Sequence, residues 1–136
     1  MKNDLLLVTD MQNVYTKGRK WACLDTEGAA KRILSVIRAM EQAGNDQIIF
    51  TRFLADEHPE GVWKHYNEEN AEVNASVWDN EMLPQFADAL GRYPLYTKSV
   101  YSSLAIPEVL EAATELILSG LDPLHVHMMT VREYLQ

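Results

Sequence analysis

The chain has 136 residues, 47% of them hydrophobic, enough for one packed domain spanning residues 1–136. Twenty acidic residues against twelve basic ones give a formal net charge of −8 and a pI near 4.9. That balance excludes the basic face a nucleic-acid binder needs and argues against docking on an anionic membrane.

Leu5-Leu6-Leu7-Val8 is a short continuous apolar run, as suits a strand buried on both faces, and it ends at Thr9-Asp10. Residues 11–25 are polar and aromatic and read as a loop. Asp25 or Thr26 caps a helix running to about Ala43, with Ala30, Ile33, Val36, Ile37 and Met40 on one face and Gly44 closing it. Gln47-Ile48-Ile49-Phe50-Thr51 is a second buried strand. Residues 52–80, rich in Trp, Tyr, His, Asn and Glu, are too long for a plain connector, and such excursions are commonly functional. A short helix is expected over 81–90 and a third strand over 94–97, ending at Lys98. Pro107 opens a helix through Ala113, Glu115 to Ser119 reads as a fourth strand ending at Gly120, and His125 to Leu135 as a last helix.

Strand and helix thus alternate, which predicts an α/β fold: a parallel sheet covered by helices on both faces, in three layers. Ligands of open α/β sheets bind at the strand ends. Asp10, Thr51-Arg52, Lys98 and Gly120 all fall there and are candidates for one cleft. A carboxylate at Asp10 can act as a general acid or base, or simply order its loop. Lys98, if it approaches Asp10, would hold that carboxylate charged and stabilise a developing anion; otherwise it is a surface lysine.

Several segments carry a resemblance. Leu6-Leu7-Val8-Thr9-Asp10-Met11-Gln12-Asn13 resembles the opening D-x-Q motif of the isochorismatase-like cysteine hydrolases, the superfamily of nicotinamidases and N-carbamoyl amide hydrolases. Ile49-Phe50-Thr51-Arg52 resembles its second strand, and Tyr96 to Leu104 its lysine-bearing K-x-x-Y-S segment. Leu116-Ile117-Leu118-Ser119-Gly120 resembles the strand leading to its nucleophile. The resemblance implies a Rossmann-like three-layer fold and an aspartate–lysine–cysteine triad that hydrolyses small-molecule C–N bonds through an acyl-enzyme. It gives Asp10 and Lys98 their catalytic roles and makes Gln12 a substrate-side residue. Trp63-Lys64-His65-Tyr66-Asn67 resembles the variable substrate-side loop, so Trp63, Tyr66 and Tyr101 become candidates to line a pocket for a small planar substrate, or a mini-core.

The chain departs from the family pattern at one decisive position. Aligned without gaps on the segment G-x-x-[TA]-x-x-C-V-x-x-T, Gly120 takes the glycine, Thr130 the threonine and Val126 the nucleophilic cysteine. Valine has no lone pair and no acidic proton, which closes the covalent route in this register. The family also continues through two further strands, so the chain reads as shortened at its C-terminus, with an exposed edge that favours self-association into a homo-oligomer. Cys23, the sole cysteine, lies in the loop after the first strand and reads as packing or pocket lining rather than a substitute nucleophile. With one cysteine, no signal-peptide layout and no apolar run near the roughly 20 residues that cross a bilayer, a reducing cytoplasmic setting is expected.

Asp56, His58 and His65 follow the second strand, where nicotinamidases hold a metal, but their spacing is loose and a solvated loop is the favoured reading. His125 and His127, two apart on the expected last helix, would point to different sides, so a shared metal is not expected, and His125 remains a candidate acid or base at the pocket. No cofactor is expected. Trp78 and Phe86 are expected to pack beneath the helix. Three functional readings stand: a hydrolase scaffold without covalent activity, a vinyl-ether hydrolase using Asp10 as general acid, and a non-catalytic binding or assembly module.

Overall fold

The computed structural model describes residues 4–118. Three strands, β1 (Leu6–Thr9), β2 (Ile48–Phe53) and β3 (Leu95–Lys98), form a parallel sheet in the order β1-β2-β3. Val8 pairs with Phe50, and Phe50 with Leu95, so β2 is the central strand. Side chains of a strand alternate between faces. Ile48 and Phe50 of β2 therefore enter one core, and Ile49 enters the other.

Helix α1 (Thr26–Gln42) covers the first face with Ala30, Val36, Ile37 and Met40 buried and Ile33 packed beside them, the face expected from the sequence. The Asp25 carboxylate accepts from the Gly28 N–H, which satisfies one of the free donors at the helix start. Beyond the helix Gly44 adopts φ +73°, a left-handed conformation that costs a side-chain-bearing residue about 1 kcal/mol or more. Helix α6 (Pro107–Leu118) covers the opposite face through Val109 and Ala112, against Leu5, Leu7, Ile49 and Tyr96. Helices on both faces of a parallel sheet give the three layers.

The helix α6 overturns one expectation. The segment from Glu115 is not a fourth strand but the continuation of this helix, to Leu118. The reason lies in the period. Val109 is buried, Ala112, Ala113 and Leu116 are half-buried, and Glu111, Thr114 and Glu115 are exposed, a spacing of three to four. Ala, Glu and Leu also favour helix over strand, and no glycine or proline interrupts them. Ser119, Gly120, Val126 and the expected last helix lie outside the described residues.

The excursion after β2 contains three short helices, α2 (Val62–Glu69), α3 (Ala71–Ala75) and α4 (Val77–Asn80). The helix expected over 81–90 is confined to α5 (Ala87–Leu90), after a 3-10 turn at Pro84–Phe86. Pro84 forces Leu83 into extended backbone, which delays the helix. Phe86 is buried edge-on against Phe50 at 5.5 Å, as expected. Trp78 is not: it is 51% exposed, and the Arg19 guanidinium lies over its ring at 5.1 Å. β1 is less enclosed than its apolar run suggests, with Val8 buried and Leu5, Leu6 and Leu7 half-buried.

Phe50 is fully buried at the crossing of β2 with α1 and the Pro84–Phe86 turn. Phe50→Ala is expected to cost about 3–5 kcal/mol, whereas Leu110→Ala, on the exposed side of α6, stays within about 0.5 kcal/mol. Urea unfolding of the two variants measures the contrast.

Candidate active site

Asp10 is the residue after β1 and has φ +54°, the one non-glycine residue with positive φ among those described. Its N–H donates to Thr51 O at 2.9 Å, and its own carbonyl accepts from the Gln12 N–H at 2.8 Å. These bonds hold a backbone conformation that an aspartate tolerates better than most residues. The chain turns sharply there, and the carboxylate comes to lie over the end of the sheet.

Lys98 ends β3, two strands away. Neighbouring strands lie about 4.8 Å apart, so β1 and β3 are separated by roughly 10 Å. The four-carbon stem of lysine crosses most of that distance above β2. Its Nζ reaches Asp10 Oδ2 at 2.8 Å, and the side chain is only 4% exposed. The same Nζ donates to Tyr101 O at 2.7 Å. Thr51, buried in β2 between the two, donates from Oγ1 to Asp10 Oδ1 at 3.3 Å and sits 3.4 Å from Ser103 Oγ. Both oxygens of the carboxylate are thus occupied. Of the strand-end candidates, the structure brings Asp10, Thr51 and Lys98 together. Arg52, next along β2, points away and donates to Thr97 Oγ1 at 2.9 Å. Gly120 and Val126 are outside the described residues.

Gln12 does not fit the substrate-side role given to it. It is 1% exposed, and its Nε2 donates to Phe53 O and to Asn80 O, each at 2.9 Å. Its Oε1 accepts from the Phe53 N–H, also at 2.9 Å. Both amide hydrogens are consumed, so the side chain has no donor left for a ligand. It is a bolt that joins the turn after β1 to the end of β2 and to α4.

The aromatic candidates do meet. Trp63 lies 4.8 Å from Tyr101 and 5.5 Å from Tyr66 between ring centroids, and Tyr66 lies 6.1 Å from Tyr101. Sequence reasoning missed three further members. Trp21 contacts Tyr15 at 6.0 Å, Phe53 at 6.4 Å and Tyr66 at 6.3 Å, and Phe53 contacts Trp63 at 6.2 Å. One signal for Phe53 was present: it stands two residues after Thr51 on a strand, hence on the same face. Burial, then the nearby Asp10 charge, pushes the Tyr15 hydroxyl up to about 12, so it stays a neutral donor at ordinary pH. Tyr66 is raised as well, by burial first and then by the neighbouring Tyr101. The cluster adjoins the ion pair through Lys98, which holds the Tyr101 carbonyl.

The loop after β1 is fastened to the helical excursion by polar contacts. Arg19 grips Asp79 with two bonds, Nε to Oδ1 at 2.7 Å and a terminal nitrogen to Oδ2 at 2.6 Å. The Trp21 indole donates to Asn70 Oδ1 at 3.1 Å, and Asn13 Nδ2 to Trp78 O at 2.8 Å. The bond to Arg19 holds the Asp79 carboxyl below the usual carboxylate range. Cys23 is exposed in this loop, its N–H bonded to Tyr15 O at 2.9 Å.

The residues considered for a metal do not converge. Asp56 Oδ1 accepts from the His58 N–H at 2.9 Å, a local turn, while His65 Nε2 lies 3.3 Å from Glu69 on the exposed side of α2. Among the described residues no group of three or more His, Cys, Asp and Glu is arranged to hold an ion.

No family model and no curated protein sequence matches the chain. Among solved structures, a cysteine hydrolase from Pseudomonas syringae pv. phaseolicola 1448A superposes with a TM-score of 0.62 at 19% identity, over 79% of this chain and 53% of that one. The chain has the fold of a cysteine hydrolase. It spans about half the length of that neighbour. An isochorismatase-like hydrolase from Alkaliphilus metalliredigens aligns at a TM-score of 0.48 and 13% identity, covering 85% of this chain and 73% of that one. The parallel sheet with helices on both faces and the first of these neighbours agree with the α/β architecture expected from the sequence. Among the described residues no helix is long and apolar enough to cross a membrane.

Two outcomes follow from this geometry. Gln12→Leu strands the Phe53 amide and carbonyl and the Asn80 carbonyl, at about 1–3 kcal/mol for each buried group left without a partner, read as a lower urea midpoint at constant slope. Asp79, depressed by folding, contributes stability that is complete above its unfolded value of about 4 and is lost as pH falls through its lower folded value. Asp79→Asn lacks that contribution, so its stability should fall less steeply than the parent's in acid denaturation below about pH 4.

Proposed function

We propose that the chain is a hydrolase scaffold of the isochorismatase-like kind, built for C–N hydrolysis of small-molecule amides, whose covalent step is lost because Val126 takes the place of the nucleophilic cysteine. The observation that carries the reading is the ion pair of Lys98 and Asp10 at 2.8 Å over the strand ends, in a chain with the fold of a cysteine hydrolase. As an ion pair, Asp10 is placed to accept a proton from a thiol, and Lys98 to stabilise the anion that results. Trp63, Tyr66 and Tyr101 supply apolar walls for a small planar amide beside that pair. The identity of Val126 as the vacant position rests on the sequence register of Gly120 and Thr130.

A second reading has a specific support. A general-acid cleavage of a vinyl ether needs a carboxyl group and no thiol, and the Asp10 carboxylate is held over the strand ends by Lys98 and Thr51.

A panel of small amides, assayed with the parent chain and with Val126→Cys, separates the readings. Turnover by Val126→Cys alone, abolished again by adding Asp10→Asn, is the expected result. Turnover by the parent that Asp10→Asn abolishes would favour the acid route. Activity that requires Cys23 would overturn the register on which Val126 was assigned.

A further inference from the structure

The second half of the loop between β1 and α1, residues 17–25, has little apolar anchoring of its own. Lys17, Gly18, Arg19, Lys20, Ala22, Cys23, Leu24 and Asp25 are exposed, and Leu24 has no burial at all. Trp21 is the exception, turned inward onto Tyr15, Phe53 and Tyr66. What keeps it there is polar and comes from the helical excursion. Two residues before Trp21, Arg19 is held by Asp79 through the two-pronged contact and lies over the Trp78 ring. One residue before it, Lys20 Nζ donates to Glu69 O at 3.2 Å. The indole itself is held by Asn70. The Asp79 side chain is 6% exposed while that of Arg19 is 42% exposed, so a buried carboxylate receives an arginine that approaches it from the surface. Asp79 is fixed in turn by the Ser76 hydroxyl, which accepts its N–H at the start of α4.

We propose that Arg19 and Asp79 are a positioning pair for the aromatic site: by clasping the β1–α1 loop to α4 they hold Trp21 as a wall of that site, and so set the affinity for a planar amide without touching it. The inference rests on the reading of the aromatic cluster as substrate-side. It assigns a role to α4, which the proposed reaction leaves without one. The excursion carries Trp63 and Tyr66 into the cluster on one side, and from the other side it grips the loop that carries Trp21. Two chain segments far apart in sequence thereby become one wall. A guanidinium suits the task because its planar fork matches a carboxylate with two parallel bonds and leaves its face free to stack on an indole.

The test uses the full chain and benzamide as the planar amide probe, with calorimetric binding and amide hydrogen exchange as readouts. Arg19→Ala and Asp79→Asn are both made; the second leaves no buried carboxylate without a partner. Each is expected to speed exchange over residues 16–24 while leaving β2 protected, and to weaken benzamide about tenfold, which corresponds to about 1.4 kcal/mol. Arg19→Lys should restore part of that loss. The deciding readout is the double variant with Trp21→Ala. If Arg19 acts through Trp21, adding Arg19→Ala to Trp21→Ala weakens the probe no further. Additive losses overturn the positioning role, as does unchanged exchange over 16–24. If the parent binds benzamide and both single variants bind it equally well, the positioning role alone fails. If the parent does not bind benzamide, the substrate-side reading of the cluster fails, and this inference with it.

Discussion

The buried carboxamide of Gln12 is the constraint around which the site end of this molecule is arranged. A primary amide with 1% exposure has no access to water, so its bonds must be found inside the protein. It finds them on two segments remote in sequence, the Phe53 backbone at the end of β2 and the Asn80 carbonyl at the end of α4, and so ties both to its own turn after β1. The bridge from Gln12 to Met82 and the bond from Asn13 N–H to Glu81 O continue the same seam. With the turn fixed in this way, Asp10 two residues earlier keeps its left-handed backbone and its carboxylate faces Lys98.

The ion pair is a consequence rather than a source of that order. A lysine with 4% side-chain exposure facing a partly enclosed carboxylate bears a desolvation cost that its Coulomb attraction offsets only with good geometry and further hydrogen bonds. Here Tyr101 O takes a second proton of Lys98, and Thr51 supplies a second bond to Asp10. Such a pair adds little to stability for its own sake. It is better understood as chemistry held in place by the sheet, since its partners stand at the C-terminal ends of the outer described strands and the lysine stem bridges the middle one.

Most of the fold was legible because its signals are local. The span of α1 follows from the 3.6-residue spacing of Ala30, Ile33, Val36, Ile37 and Met40, bounded by Asp25 and Gly44. The three strands follow from short apolar runs ending in polar residues. Where local signals conflicted, reading failed. Leu116-Ile117-Leu118 satisfies a buried strand and a half-buried helix equally, and the contact of Val109 and Ala112 with the sheet decided for the helix. Trp78 was expected to pack beneath the helix, yet a neighbouring guanidinium gives its ring a partner at the surface.

The sequence by itself determined the α/β class, the capped first helix, and the strand-end addresses of Asp10, Thr51 and Lys98, because periodicity and chain punctuation act over a few residues. Only the tertiary structure decided that Lys98 reaches Asp10 across β2, that Gln12 is spent as a bolt, and that Tyr15, Trp21 and Phe53 join Trp63, Tyr66 and Tyr101. Those outcomes depend on strand order and on where a long excursion folds back. The contacts of Lys98 with Asp10, of Gln12 with Phe53 and of Trp21 with Tyr66 join residues some forty to ninety positions apart, and no local pattern in a single chain encodes their pairing.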